Sequence, residues 1–181
     1  MIQSLAFPDL FRLSDGHYMV NRITDEMISV MWARMSRLQK EEFELLYGED
    51  EAFECFKGEI RHSEHQAAFF NGSEITCLMW SDWADVKGVG EHLRTLGCVC
   101  SDWAFKHPLN FCKHSCEVRD AFMLMEPPEV KEIYVFITKH FSQSRKWAAK
   151  ICGCKELIEV RGGKGNGSFM MYRYRIGEDK Q

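Results

Sequence analysis

The chain has 181 residues, 45% of them hydrophobic and 28% charged, with a formal net charge of -4 at pH 7. That length suits one domain burying about two thirds of its unfolded surface without a staple. The negative balance argues against non-specific nucleic-acid binding, which needs a basic face to displace counterions from phosphate. No stretch approaches the roughly 18 uninterrupted apolar residues of a membrane span. The opening Met1-Ile-Gln-Ser-Leu-Ala-Phe-Pro lacks the basic start and apolar run of a secretory signal. No membrane contact and no export are expected.

Residues 1–17 read as an irregular segment with a turn at Ser14-Asp15-Gly16, and 18–181 as a single domain without a linker or repeat. Tyr18 to Ile23 is a short strand. Thr24 is an N-cap with the acids Asp25 and Glu26 in the first turn. The spacing of Met27, Val30, Met31, Met35 and Leu38 predicts one helix to about Leu38 with a methionine core stripe. Further helices are predicted from Lys40 to Tyr47, ended by Gly48, and from Glu51 to Phe56, capped by Asp50. Two apolar runs then flank Asn71-Gly72, a hairpin signal because both residues tolerate positive φ. A loop is predicted after this hairpin, through Gly88 and Gly90, and a strand between His92 and Ser101.

Pro108 suits the first turn of a helix reaching Met125, before Pro127-Pro128. Ile133-Tyr-Val-Phe-Ile is a continuous apolar run typical of a covered central strand. Ser142 or Ser144 opens a last helix closed by Gly153. Strands from Leu157 to Val160 and from Phe169 to Ile176 flank a turn holding Gly162, Gly163, Gly165 and Gly167. The order implies a mixed sheet with crossover helices, hence α/β or α+β.

The chain has eight cysteines. Cys98-x-Cys100 followed by Cys112-x-His114-x-Cys116 contains zinc-ligand types. The first pair lies on a strand and Cys112 and Cys116 on one helix face, so reduced, metal-free thiols are expected. Cys112 and His114, two apart on a helix, do not face each other as nucleophile and base. The run Gly162-Gly-Lys-Gly-Asn-Gly lies between strands rather than between strand and helix, so it is a hairpin and not a phosphate loop.

This order of elements resembles the GNAT N-acetyltransferases over about residues 18 to 176. Leu96-Gly-Cys-Val-Cys-Ser-Asp-Trp-Ala-Phe-Lys-His-Pro is similar to the strand leading into their cofactor loop. Ser142-Gln-Ser-Arg-Lys-Trp-Ala-Ala-Lys-Ile-Cys-Gly-Cys is similar to their late helix, and Phe169-Met-Met-Tyr-Arg-Tyr to their closing strand. The nearest resemblance is to the divergent GNAT-like proteins of tailed phages. It implies a GNAT-like mixed central sheet flanked by helices, and a location in the host bacterial cytoplasm or the virion.

The resemblance also implies acetyl-CoA as cofactor, its pyrophosphate held by backbone N–H groups and a helix N-terminus. The corresponding residues here are Trp103, Ala104, Phe105 and Lys106, with Ser142 as one polar contact to the cofactor arm. Two departures stand out. The segment from Trp103 to Pro108 has no glycine, and Ala149 occupies the place of the family's usual proton-donating tyrosine. Tyr134 is a substitute donor, and Asp82, Asp85 and Glu91 are candidate bases. Trp80, Trp83 and Trp103 lie near the loops that would flank a cleft. No catalytic residue is assigned, and acetyl-CoA is expected to bind weakly or not at all. The resulting reading is an N-acyltransferase with an atypical or degraded cofactor site. Its alternative is a non-catalytic phage protein that uses the fold in virion morphogenesis or to bind a host protein.

Overall fold

In the computed structural model, which describes residues 10–86 and 89–177, every strand joins one sheet. Along the chain come β1 (Leu10–Arg12), β2 (His17–Val20), α1 (Asp25–Arg34), α2 (Arg37–Tyr47), α3 (Ala52–His62), β3 (His65–Asn71), β4 (Glu74–Val86) and β5 (Gly90–Cys100). Then follow α4 (Asp102–Lys106), α5 (Pro108–Met123), β6 (Glu132–Thr138), α6 (Ser142–Lys150), β7 (Lys155–Gly162) and β8 (Gly167–Arg175). The sheet order is β1-β2-β3-β4-β5-β6-β8-β7, and β5 with β6 is its parallel pair. This is the mixed α/β architecture that the element order predicted.

Local chemistry explains most boundaries. The Thr24 hydroxyl accepts the Met27 N–H at 3.3 Å, capping α1. The helix predicted to run to Leu38 instead breaks at Met35, which is extended, and Ser36 caps α2 by accepting the Gln39 N–H at 3.3 Å. A serine that bonds backbone outside a helix competes with its continuation. The third helix is longer than predicted and reaches His62, with Glu51 rather than Asp50 at its cap. At the first hairpin Asn71 still pairs with Glu74, so the turn is Gly72-Ser73, one residue later than the expected Asn71-Gly72, with Gly72 at φ 58°.

Two other expectations are corrected. Ser81 to Val86 continues β4 instead of forming a loop; from Asp82 outward its residues are half-exposed or exposed, but their backbone pairs with β5 as far as Val86 opposite Gly90. Within 1–17, Leu10–Arg12 pairs with β2, and Ser14–Gly16 forms a single 3-10 turn. Residues 1–9, and Gly88 in the expected loop, lie outside the described residues.

Strand alternation divides the core. Leu78 and Trp80 of β4 pack with Ile28, Met31, Phe43 and Phe56 beneath α1–α3. Cys77 and Met79 face the other way, toward Phe122 of α5, with Phe69 and Ile133. The β7–β8 hairpin docks on α2: the Lys164 and Gly165 N–H groups donate to the carbonyls of Leu46 and Leu45, each at 2.9 Å. A Cβ on Gly163 would stand 2.5 Å from the Leu45 carbonyl oxygen, so this glycine run is a close backbone approach to the end of α2.

Candidate active site

The parallel strands β5 and β6 share one register pair, Thr95 with Tyr134. Past it each strand stays bound on its outer side, β5 to β4 as far as Cys100–Cys77 and β6 to β8 as far as Thr138–Phe169. Past it no register pair joins the two, and the gap between their facing backbone edges is the candidate cleft. Two side chains of α2 reach its edges. With its amide oriented so that oxygen meets donor, Gln39 donates to the Cys100 carbonyl and accepts the Cys100 N–H, both at 2.9 Å. Glu42 accepts the Thr138 N–H at 2.7 Å and the Thr138 hydroxyl. Gln39 and Glu42 are three apart and so share a helix face. Cys98 has the same parity as Cys100 and turns its own N–H and C=O toward the cleft.

A carboxyl lies next to Trp80, on the α3 side of the sheet. Trp80 lies flat on Gly97 of β5, where a Cβ would come within 2.1 Å of the indole. Behind it is Glu59 of α3, which takes a hydrogen bond from the Tyr47 hydroxyl. Burial pushes the Glu59 carboxyl up to about 7, with a side-chain hydrogen bond from Trp80 working the other way. Burial also raises Glu42, against its two Thr138 donors. A carboxyl that titrates near neutrality is suited to accept a proton from an amine. Sequence reasoning passed over Gln39, Glu42 and Glu59. Their one signal was a polar residue beside core positions of an amphipathic helix, next to Phe43 and Ile60.

The segment read as a cofactor loop is mostly helical. Ser101 caps α4 by accepting the Trp103 N–H at 3.4 Å, and its carbonyl accepts the Ala104 N–H at 3.1 Å. Trp103 and Ala104 are buried, while Phe105 is 46% exposed. Lys106 pairs with Asp102 at 2.6 Å, and Asp102 also holds Arg34 at 2.8 Å. The following α5 starts at Pro108 without a side-chain cap.

Ser142 opens α6 and lines a surface pocket with Arg145, Lys146, Ala149 and Tyr172. Trp103 lines a separate, partly open cavity, and the two share no residue. Helical spacing puts Ser142 and Ala149 on one face of α6 and Trp147 on another. It is Trp147 that meets α5, its indole N–H donating to the Ser115 hydroxyl at 2.8 Å and its ring stacking on Phe111 at 5.6 Å.

The remaining candidates are dispersed. Tyr134 donates to Glu132 at 2.7 Å. Asp82 accepts the Trp83 N–H at 2.8 Å and Asp85 the His92 N–H at 2.7 Å, while Glu91 is exposed. Trp80 is core and Trp83 stacks on His92 at the surface. His114 bonds with Ser14 and Glu117, and the Cys116 thiol donates to the Ile151 carbonyl at 3.2 Å. Cys98 and Cys100 gather instead with Cys77 of β4.

No protein-family model matches the sequence, and no curated protein does. Solved structures do. An aminoglycoside N(6')-acetyltransferase from Legionella pneumophila matches with a TM-score of 0.62 at 8% identity, over 89% of this chain and 92% of that one. A ribosomal-protein-alanine N-acetyltransferase from Brucella melitensis matches with a TM-score of 0.58 at 9% identity, over 87% and 99%. A GNAT-family structure from Desulfovibrio desulfuricans matches with a TM-score of 0.55 at 9% identity, over 89% and 99%. The fold of this chain is thus the GNAT acetyltransferase fold.

Proposed function

We propose that the chain is an acyl-CoA-dependent N-acyltransferase whose cleft is the divergence of β5 from β6 and whose proton acceptor is Glu59. The observation that carries this reading is the half-buried Glu59 carboxyl, raised to about 7, behind the Trp80 that lies on β5 at the cleft. The names of the matched structures agree with amine acceptors: one acts on an aminoglycoside, another on a ribosomal-protein alanine.

The residues present fit an acyl-CoA in part. The Cys98 N–H and C=O offer strand-like pairing to an amide-bearing arm, and the uncapped first turn of α5 faces the end where phosphates would lie. Lys106 adds charge, already shared with Asp102. The N–H groups of Trp103 and Ala104 are spent inside α4. We therefore propose cofactor contacts through Trp103, Ala104, Phe105 and Lys106 that are weak, with Ser142 contributing from its own pocket. When bound, acetyl-CoA supplies the thioester that the amine attacks. Glu59 takes the proton of the attacking amine. Tyr134, at the register pair where the cleft opens, keeps its proton through its hydrogen bond to Glu132 and through burial, and gives one to the leaving thiolate, the role that Ala149 cannot fill.

A tailed-phage origin, with a location in host cytoplasm or virion, is carried into this proposal by the sequence resemblance. A non-catalytic role against a host or virion protein rests on the glycine-free segment and Ala149, which bear on rate and affinity rather than on a binding surface. The test is release of free CoA thiol from acetyl-CoA with aminoglycosides and alanine-terminal peptides as acceptors. Turnover that falls by about 10²–10⁴ in Glu59→Gln supports the reading; turnover unchanged in that variant removes Glu59 from it.

A further inference from the structure

Three thiols from two neighbouring strands converge on the α5 side of the sheet. Cys77 of β4 stands opposite Cys100 of β5, and Cys98 lies two residues along the same face. Their sulfurs all fall within 4.8 Å of one another, with Cys77 and Cys98 at 3.5 Å. A zinc ion with Zn–S bonds of about 2.3 Å in tetrahedral geometry needs sulfurs about 3.8 Å apart. One observed separation lies just below that value, and none exceeds it by more than about 1 Å. Cys77 and Cys100 are buried and Cys98 is half-buried. The three form a soft donor set with no carboxylate among them, which selects against magnesium and calcium.

Two of the three, Cys77 and Cys98, border a partly open cavity of about 20 Å³, lined also by Met79, His17, Trp103 and Arg119. That is room for about one water molecule. Three protein ligands with a fourth position opening on a water-sized space is the coordination pattern of an open zinc site. Charge agrees as well. Three thiolates and one zinc ion carry a net charge of -1, and Arg119, with a side chain only 10% exposed, is a cation lining the same cavity, its guanidinium also paired with Asp120.

From this convergence we propose that Cys77, Cys98 and Cys100 bind one zinc ion, with the fourth ligand position facing the cavity. Binding forms three Zn–S bonds and releases three thiol protons to solvent. The ion ties β4 to β5 at the wall of the cleft. It does so with a ligand set that pairs Cys98 and Cys100 with β4, and not with Cys112, His114 or Cys116 on the helix.

The test uses the full chain, reduced and stripped of metal by a chelator, titrated with cobalt(II) as a spectroscopic probe and then with zinc. We expect one equivalent of cobalt to give thiolate charge-transfer absorption of an intensity matching three Co–S bonds, together with tetrahedral visible bands. Zinc should abolish both, and one zinc should raise the melting temperature. Cys98→Ser should lose the bands, while Cys112→Ser should keep them. Because the intensity counts thiolates in the wild-type protein, the result stands even where a variant fails to fold. Folded, reduced protein without charge-transfer absorption would overturn the proposal. So would bands that persist in folded Cys98→Ser, or isolation of the chain with two of these three cysteines in a disulfide.

Discussion

The side-chain amide of Gln39 makes both hydrogen bonds to the backbone of Cys100 that a neighbouring strand would make. One residue of α2 thus stands in for the missing part of β6 where the sheet splits, and on the other edge Glu42 takes the N–H and hydroxyl of Thr138. Side chains of one helix thus bind both strand edges where the sheet splits.

Gln39→Ala leaves the Cys100 N–H and C=O without these partners in a buried setting. Unsatisfied buried groups cost about 1–3 kcal/mol each before relaxation or water repairs them. The variant should be less stable by about that amount, read as a lower urea midpoint at unchanged slope. An unchanged midpoint would mean that the amide does not bind this strand edge.

Glu59 makes stability depend on pH in a defined direction. Its carboxyl is raised from 4.5 to about 7 by folding, so the folded state favours the protonated form. That contribution is complete below about pH 4.5 and is lost as pH rises through about 7. Glu59→Gln should gain stability relative to wild type as pH rises from 5 to 8, on the order of the linkage expected for one group. Urea midpoints of both proteins across this range check it; parallel pH curves would show that Glu59 is not raised.

Gly97 admits no side chain, because a Cβ there meets the Trp80 indole at 2.1 Å. Gly97→Ala should force that ring off β5 and destabilise by about 1–3 kcal/mol. A thermal melt matching wild type would contradict the packing of Trp80 against the strand.

At the first hairpin Gly72 has φ 58° with open space around it, so conformation alone opposes a side chain. Gly72→Val should cost roughly 1–2 kcal/mol, the penalty of a left-handed backbone at a β-branched residue. A matching denaturant midpoint would place the turn elsewhere.

What was readable in the sequence was local. Thr24, Gly48, Gly72 and Gly153 mark caps and turns whose chemistry lies within a few residues, and each sits where expected. The helix break at Ser36 was hidden because Met35 and Leu38 continue the apolar period across it. The outer half of β4 was missed because its side chains alternate into solvent and only its pairing with β5 makes it a strand. The cleft itself is non-local. Gln39, Glu42 and Glu59 look like solvated helix residues until the fold sets them against β5, β6 and Trp80. Cys98 and Cys100 were matched with residues near in sequence, whereas cross-strand register supplies Cys77.

The most direct measurement is a titration of the isotope-labelled protein with acetyl-CoA, followed by amide chemical shifts. The helix end at α5 and Lys106 each offer about 0.3–1 kcal/mol if exposed. Micromolar affinity requires about -8 kcal/mol. A dissociation constant weaker than micromolar is therefore expected, with shifts concentrated at Cys98, at Cys100 and in the first turn of α5. Shifts confined to the Ser142 pocket, or none at millimolar acetyl-CoA, would contradict a cofactor cleft between β5 and β6.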